Sequence, residues 1–213
     1  DYIDLYQAHN IKLADLEKDE LFETLEQLQF EGKIRYFGVA IGPDIGWQEE
    51  GEYSLTERQV RSAQIIYSLL EQDPAKRFIE LANDNEVGLL SRVPHASNTL
   101  TGEFDHGFPT FDPDDHRAHR KNEWLVESMR KVDRIRFLVQ EESRSMAQAA
   151  IQFVLKPQAI ISVLPNLTTL AELKEYTSAV DTPGITDEEQ AKLDELWEHD
   201  FDLSEPEPQF REI

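Results

Sequence analysis

Five short apolar runs punctuate this chain of 213 residues, at 3–8, 34–40, 63–70, 87–93 and 159–164, with helical patterns between them. They are rich in Ile, Val, Leu and Tyr and show little polar alternation, as expected of parallel strands covered on both faces. Strand alternating with helix predicts right-handed βαβ units in one parallel sheet, an α/β barrel layout read as a single domain over 1–213. The opening stretch, Asp-Tyr-Ile-Asp-Leu-Tyr-Gln-Ala-His-Asn, reads as a buried strand delivering His9 at its C-terminal end, where barrel enzymes keep their chemistry.

The helical patterns carry their own punctuation. Leu21, Phe22, Leu25 and Leu28 recur at helical spacing until Gly32 ends the pattern. A shorter pattern covers about 55–61, and Pro74 opens another with Phe78, Ile79 and Ala82 on one face. Residues 122–141 read as a charged helix, and Met146 to Leu155 as a small-residue helix stopped by Pro157. Thr169-Leu-Ala-Glu172 and Thr186-Asp-Glu-Glu189 each have the form of a capping box. They open helices expected to end near Val180 and Glu198. The stretch 98–121, with its Gly, Pro and Asp, reads as a long loop, and 201–213 as an acidic extended tail.

Composition excludes several classes. With 39% hydrophobic and 30% charged residues the chain suits a globular fold. No apolar run approaches the roughly 18 residues that cross a bilayer. A net charge of −22 repels phosphate backbones and argues against nucleic-acid binding. The absence of cysteine excludes disulfides, thiolate catalysis and Cys-ligated metals, and fits a cytoplasmic location. His116 and His119 have helical spacing, but no third ligand is evident and basic residues crowd them, so no metal is expected.

In order, the segments 1–9, Gly-Lys-Ile-Arg-Tyr-Phe-Gly-Val at 32–39, Ala-Gln-Ile-Ile-Tyr-Ser-Leu-Leu at 63–70, Val-Gly-Leu-Leu-Ser-Arg-Val-Pro at 87–94, Leu-Thr-Gly at 100–102 and Ile-Ser-Val-Leu-Pro at 161–165 resemble the aldo-keto reductase family. The resemblance implies a (β/α)₈ TIM-barrel type fold that binds NADP(H) without a Rossmann domain. It places residues 1–9 on the fourth barrel strand, so the expected barrel is incomplete, with about five of eight βα units and the first three missing. Of the family's Tyr, Lys, Asp and His, only the His has a match, at His9. The implied activity is hydride transfer between NADP(H) and a small carbonyl or alcohol substrate in the intact protein, with this chain alone inactive. The alternative is a catalytically degenerate barrel serving as a binding or regulatory subunit. Either the upstream part or self-association would cover the open sheet edges.

The resemblance also implies roles by position. His9 would hydrogen-bond the substrate carbonyl and stabilise charge developing on its oxygen. Gln64 would pair with the nicotinamide carboxamide, and Arg92 would stack on the nicotinamide ring or else serve a surface ion pair. Leu164, Pro165, Asn166, Thr168, Thr169 and Glu172 would form the adenosine-phosphate end of the cofactor site, at a helix N-terminus. Several residues depart from the family pattern. Asn166 replaces a Gly, Thr168 an Arg that grips the 2′-phosphate, and Tyr176 an Asn near adenine. Ala40 and Ile41 replace a Ser-Asn pair, His95 a Leu and Glu103 a Lys. Thr168 makes NAD(H) the alternative cofactor. Trp47 and the segment Gly42–Tyr53 read as a substrate-side loop or as a solvent loop with a packing Trp.

Overall fold

The computed structural model describes residues 1–42, 45–107, 111, 122–140 and 142–203. They divide into two compact units, one of residues 1–94 and 154–165, the other of 95–153 and the chain from 166 onward.

The first unit is a five-stranded parallel sheet in the order β1-β2-β3-β4-β5, comprising Ile3–His9, Ile34–Ala40, Ser62–Ile66, Gly88–Arg92 and Ile160–Leu164. Helices α1 (Leu13–Leu16), α2 (Asp19–Phe30), α3 (Gln48–Thr56) and α4 (Ala75–Asp84) intervene. Every expected strand is present. β3 stops at Ile66 because the chain turns at Ser68, whose hydroxyl accepts from the Leu70 and Glu71 N–H groups.

α2 buries Phe22 and Leu25 and ends in a Schellman motif. Gly32, at φ 72°, donates to Gln29 O, and Lys33 donates to Leu28 O. α4 buries Phe78, Leu81 and Ala82, with Pro74 as its N-cap rather than its first turn.

Two readings need correction here. β1 is not a buried strand. It has one neighbour in the sheet, and Ile3 and Tyr6 remain 48% and 45% exposed. An apolar run reports a tendency to be covered, whereas coverage requires a second neighbour. The segment Gly42–Tyr53 is not a loop throughout, because α3 begins at Gln48, well before the pattern read at 55–61. Gly51 masks that helix in the sequence, and the packing explains it. A Cβ there would lie 2.2 Å from Phe78 Cζ, so only glycine lets the α4 ring approach α3 so closely.

The second unit holds α5 (Asn122–Arg134), most of α6 (Met146–Leu155), α7 (Leu170–Thr177) and α8 (Asp187–Glu198). α5 is shorter than the 122–141 pattern and is followed by a 3₁₀ turn at Arg136–Leu138. Leu125, Ser128, Met129 and Val132, at helical spacing, are its buried stripe. Both capping boxes form at the expected residues, and α7 passes into a 3₁₀ turn at Ser178–Asp181. A third box, missed in the sequence, opens α6, where Ser145 Oγ accepts from Gln148 N and Gln148 Oε1 accepts from Ser145 N. Within 98–121, residues 98–107 form successive turns, and Leu100 and Phe104 are buried.

Arg144 fixes the second unit internally. Its side chain is fully buried and donates to Leu138 O at 2.8 Å, to Pro183 O at 3.2 Å and to Glu189 Oε1. Glu189 meanwhile accepts from Thr186 N through Oε2, so one carboxylate caps α8 and neutralises Arg144. Burial works to raise the Glu189 pKa, but the Arg144 and Thr186 contacts leave it lowered.

Candidate functional site

The parallel register gathers the sequence candidates of the first unit at one end of the sheet. His9 closes β1 and is registered with Ala40, which is registered with Gln64. His9 and Gln64 are thus two strand spacings apart, about 10 Å. Ile66 is registered with Arg92, and Arg92 with Leu164, which leads into Pro165. His9, Gln64, Arg92 and Leu164 therefore all lie at or near the C-terminal ends of strands, where open α/β sheets and barrels bind their ligands.

Their environments differ. The His9 ring is exposed and has no hydrogen-bond partner among the described residues. The half-buried Gln64 amide is likewise unpaired among them, leaving a donor and an acceptor available. Arg92 is half-buried and donates to Ile41 O at 3.2 Å, which anchors the guanidinium against the strand that carries Ala40. Ala40 and Ile41, where the family pattern has polar side chains, are 3% and 7% exposed and serve the apolar interior.

One residue here escaped the sequence reading. Asn10, next to His9, adopts φ 53°, and its N–H donates to Ala40 O. Among the described residues its Oδ1 is buried without a partner, a state that costs about 1–3 kcal/mol unless a ligand donor satisfies it. The only sequence cue was an Asn at a strand end, a type that tolerates left-handed backbone. Val93 at φ 58°, directly after Arg92, is a second strained position at this end of the sheet.

In the second unit, Asn166, Thr168 and Thr169 are exposed at the start of α7. Thr169 is the N-cap and Glu172 completes the box. The expectation that this helix start offers free donors to a phosphate is corrected in one respect. The Thr168 and Thr169 N–H groups already donate to Glu172, so that residue competes for the groups it was expected to help present.

Two departures from the family pattern prove to be partners. His95 is 3% exposed and Tyr176 is 6% exposed, and their rings lie 4.4 Å apart. Burial lowers the His95 pKa to about 4, against the hydrogen bond of its Nε2 to Ala147 O at 3.2 Å. Tyr176 therefore packs against His95 inside the unit. Neither residue showed in the sequence that it answers the other.

Among the described residues, no cluster of three or more His, Asp or Glu side chains could hold a metal ion. His116 and His119 lie outside the described residues. Among the described residues, no helix is long and apolar enough to cross a membrane.

The sequence profile of the Aldo/keto reductase family matches residues 1–198. The chain is 28% identical over 194 residues to the uncharacterized oxidoreductase YqkF of Bacillus subtilis, covering 89% of this chain and 58% of that protein. It is 25% identical over 207 residues to an L-glyceraldehyde 3-phosphate reductase of Escherichia coli O157:H7, covering 92% and 58%. The holo form of aldo-keto reductase AKR11C1 from Bacillus halodurans superposes with a TM-score of 0.68 at 25% identity, over 92% of this chain and 61% of that one. The glycerol dehydrogenase AKR11B4 from Gluconobacter oxydans, at 22% identity and a TM-score of 0.71 over 99% of this chain and 63% of its own, shares the fold. The chain thus spans 58% of the length of these curated relatives.

Proposed function

The chain belongs to the aldo/keto reductase family, and from that premise we propose that it carries the cofactor-binding part of an oxidoreductase that moves hydride between a nicotinamide dinucleotide and a carbonyl or alcohol. The observation that carries this reading is His9 at the C-terminal end of β1, in register through Ala40 with Gln64, both side chains unpaired among the described residues. The residues fit such a cofactor in kind. Gln64 offers both a donor and an acceptor to a carboxamide, and the orphaned Asn10 Oδ1 offers an acceptor to a ligand donor.

When bound, the dinucleotide supplies or accepts the hydride. His9 donates a hydrogen bond to the substrate oxygen as negative charge gathers there, and stabilises that charge more in the transition state than in the ground state. Arg92, held by Ile41 O, presents a guanidinium plane for stacking on a ring. Within the second unit, the family resemblance assigns the adenosine end to Asn166, Thr168 and Thr169. The family's Tyr, Lys and Asp have no match in residues 1–213, so by this reading the chain alone reduces nothing, and a reducing cytoplasm is its proposed setting.

The fold extends the same proposal. β1 and β5 are sheet edges with exposed apolar residues, among them Ile3, Tyr6 and, at 64% exposure, Ile161. Further strands closing an eight-stranded barrel would pair both edges.

The test is a steady-state assay of the full-length protein with reduced nicotinamide dinucleotides and a panel of aldehydes and ketones. Cofactor oxidation that depends on the carbonyl substrate is expected. Absence of both turnover and dinucleotide binding would refute the proposal.

A further inference from the structure

The start of α7 is closed to anions by the chain itself. A helix N-terminus normally attracts an anion through its unpaired N–H groups. Here the Thr168 N–H at 2.7 Å, the Thr169 N–H at 2.7 Å and the Thr168 hydroxyl at 2.9 Å all converge on one carboxylate oxygen, Glu172 Oε2. The other oxygen, Oε1, accepts nothing among the described residues. The bonds from Thr168 and Thr169 lower the Glu172 pKa, so the group is ionised at neutral pH.

More negative charge surrounds it. Burial, then the fields of Glu172, Glu175 and Glu103, push the Tyr176 phenol up to about 12. Against these, α7 has one basic residue, Lys174, in its last turn. Asn166 and Thr168 bring no charge.

We propose that Glu172 makes this site select a dinucleotide whose adenosine ribose carries free hydroxyls, NAD(H), over one carrying a 2′-phosphate. The proposal rests on the reading of this helix start as the adenosine end of the cofactor site. A phosphate dianion approaching it meets a carboxylate in place of free N–H donors. A ribose hydroxyl finds an acceptor at Oε1, the arrangement by which an acidic side chain favours NAD in other nucleotide-binding folds. The NADP(H) expected from the family resemblance is therefore disfavoured by this chain's own residues.

Calorimetric titration of the full-length protein with ADP-ribose and with 2′-phospho-ADP-ribose tests this without turnover. ADP-ribose should bind at least about tenfold more tightly at low ionic strength, and salt should narrow that ratio by screening the repulsion. Glu172→Gln keeps an amide oxygen able to cap Thr168 and Thr169 but removes the charge, and should reduce the preference by at least about threefold. Adding Thr168→Arg to it supplies a bidentate phosphate donor and should reverse the preference. Equal or tighter binding of the 2′-phosphate by the unaltered protein overturns the proposal while leaving the dinucleotide site standing. A ratio unmoved by salt also overturns it, and needs no variant. Binding of neither ligand removes the dinucleotide site and the proposal together.

Discussion

The Arg144–Glu189 pair should be the most costly polar contact to break in the second unit. The Arg144 side chain is 0% exposed, so water cannot take over its contacts in place, while that of Glu189, at 15%, keeps some access to solvent. Arg144→Met strands the Leu138 and Pro183 carbonyls and leaves the Glu189 charge with only its cap contact. A cost of about 3–5 kcal/mol is expected, the range for breaking a buried pair from one side. Glu189→Gln keeps one acceptor oxygen, for either Arg144 or the Thr186 N–H, turns an NH₂ toward the other donor and loses the charge. It should cost about 1.5–3 kcal/mol, the scale of a charge-assisted hydrogen bond. Urea unfolding of wild type, the two single variants and the double variant supplies a double-mutant cycle, whose coupling term is the pair itself.

The pH dependence follows from the lowered Glu189 pKa. The folded value lies below the ordinary 4.5, so the contribution is complete above that pH and is lost as pH falls through the folded value. The gap between wild type and Glu189→Gln should be full at neutral pH and close in acid. A cost below about 0.5 kcal/mol, typical of exposed pairs, or a gap that persists unchanged in acid, would refute the reasoning.

Other outcomes are expected on the same grounds. Gly51→Val places a Cβ 2.2 Å from Phe78 Cζ and should cost about 1–3 kcal/mol or more in urea unfolding, with Phe78→Leu recovering part of it; additive losses would argue against the contact. His95 has its folded pKa lowered to about 4 from 6.5, so its contribution is complete above pH 6.5 and is lost as pH falls toward 4. The loss amounts to at most about 3 kcal/mol, and His95→Leu should flatten the melting temperature across that interval. In the full-length protein, if it turns over as proposed, His9→Ala should lower kcat about 10²–10³-fold while leaving dinucleotide affinity within about twofold. Equal losses in affinity would instead make His9 a cofactor-positioning residue.

Much of the fold was legible because its causes are local. The Thr169–Glu172 and Thr186–Glu189 boxes act between residues three apart, and both form as read. Gly32 ends α2 because only its own left-handed φ is required. The site was legible in part. Strand-terminal His9, Gln64 and Arg92 could be placed by sequence order, since parallel strands deliver the same end of each run to the same side. Asn10 was not, because an unsatisfied acceptor becomes apparent only when every potential donor has a position.

The sequence by itself determined the alternation of strand and helix, the caps and the absence of cysteine chemistry. Each depends on residues within a few positions or on composition. Tertiary structure alone decided that Gly51 admits Phe78, and that His95 and Tyr176 answer each other across 81 positions of chain. It alone gave Arg144 a carboxylate 45 residues away. Burial and pairing are properties of what arrives from elsewhere in the chain, and a side chain's charge takes its function from those neighbours.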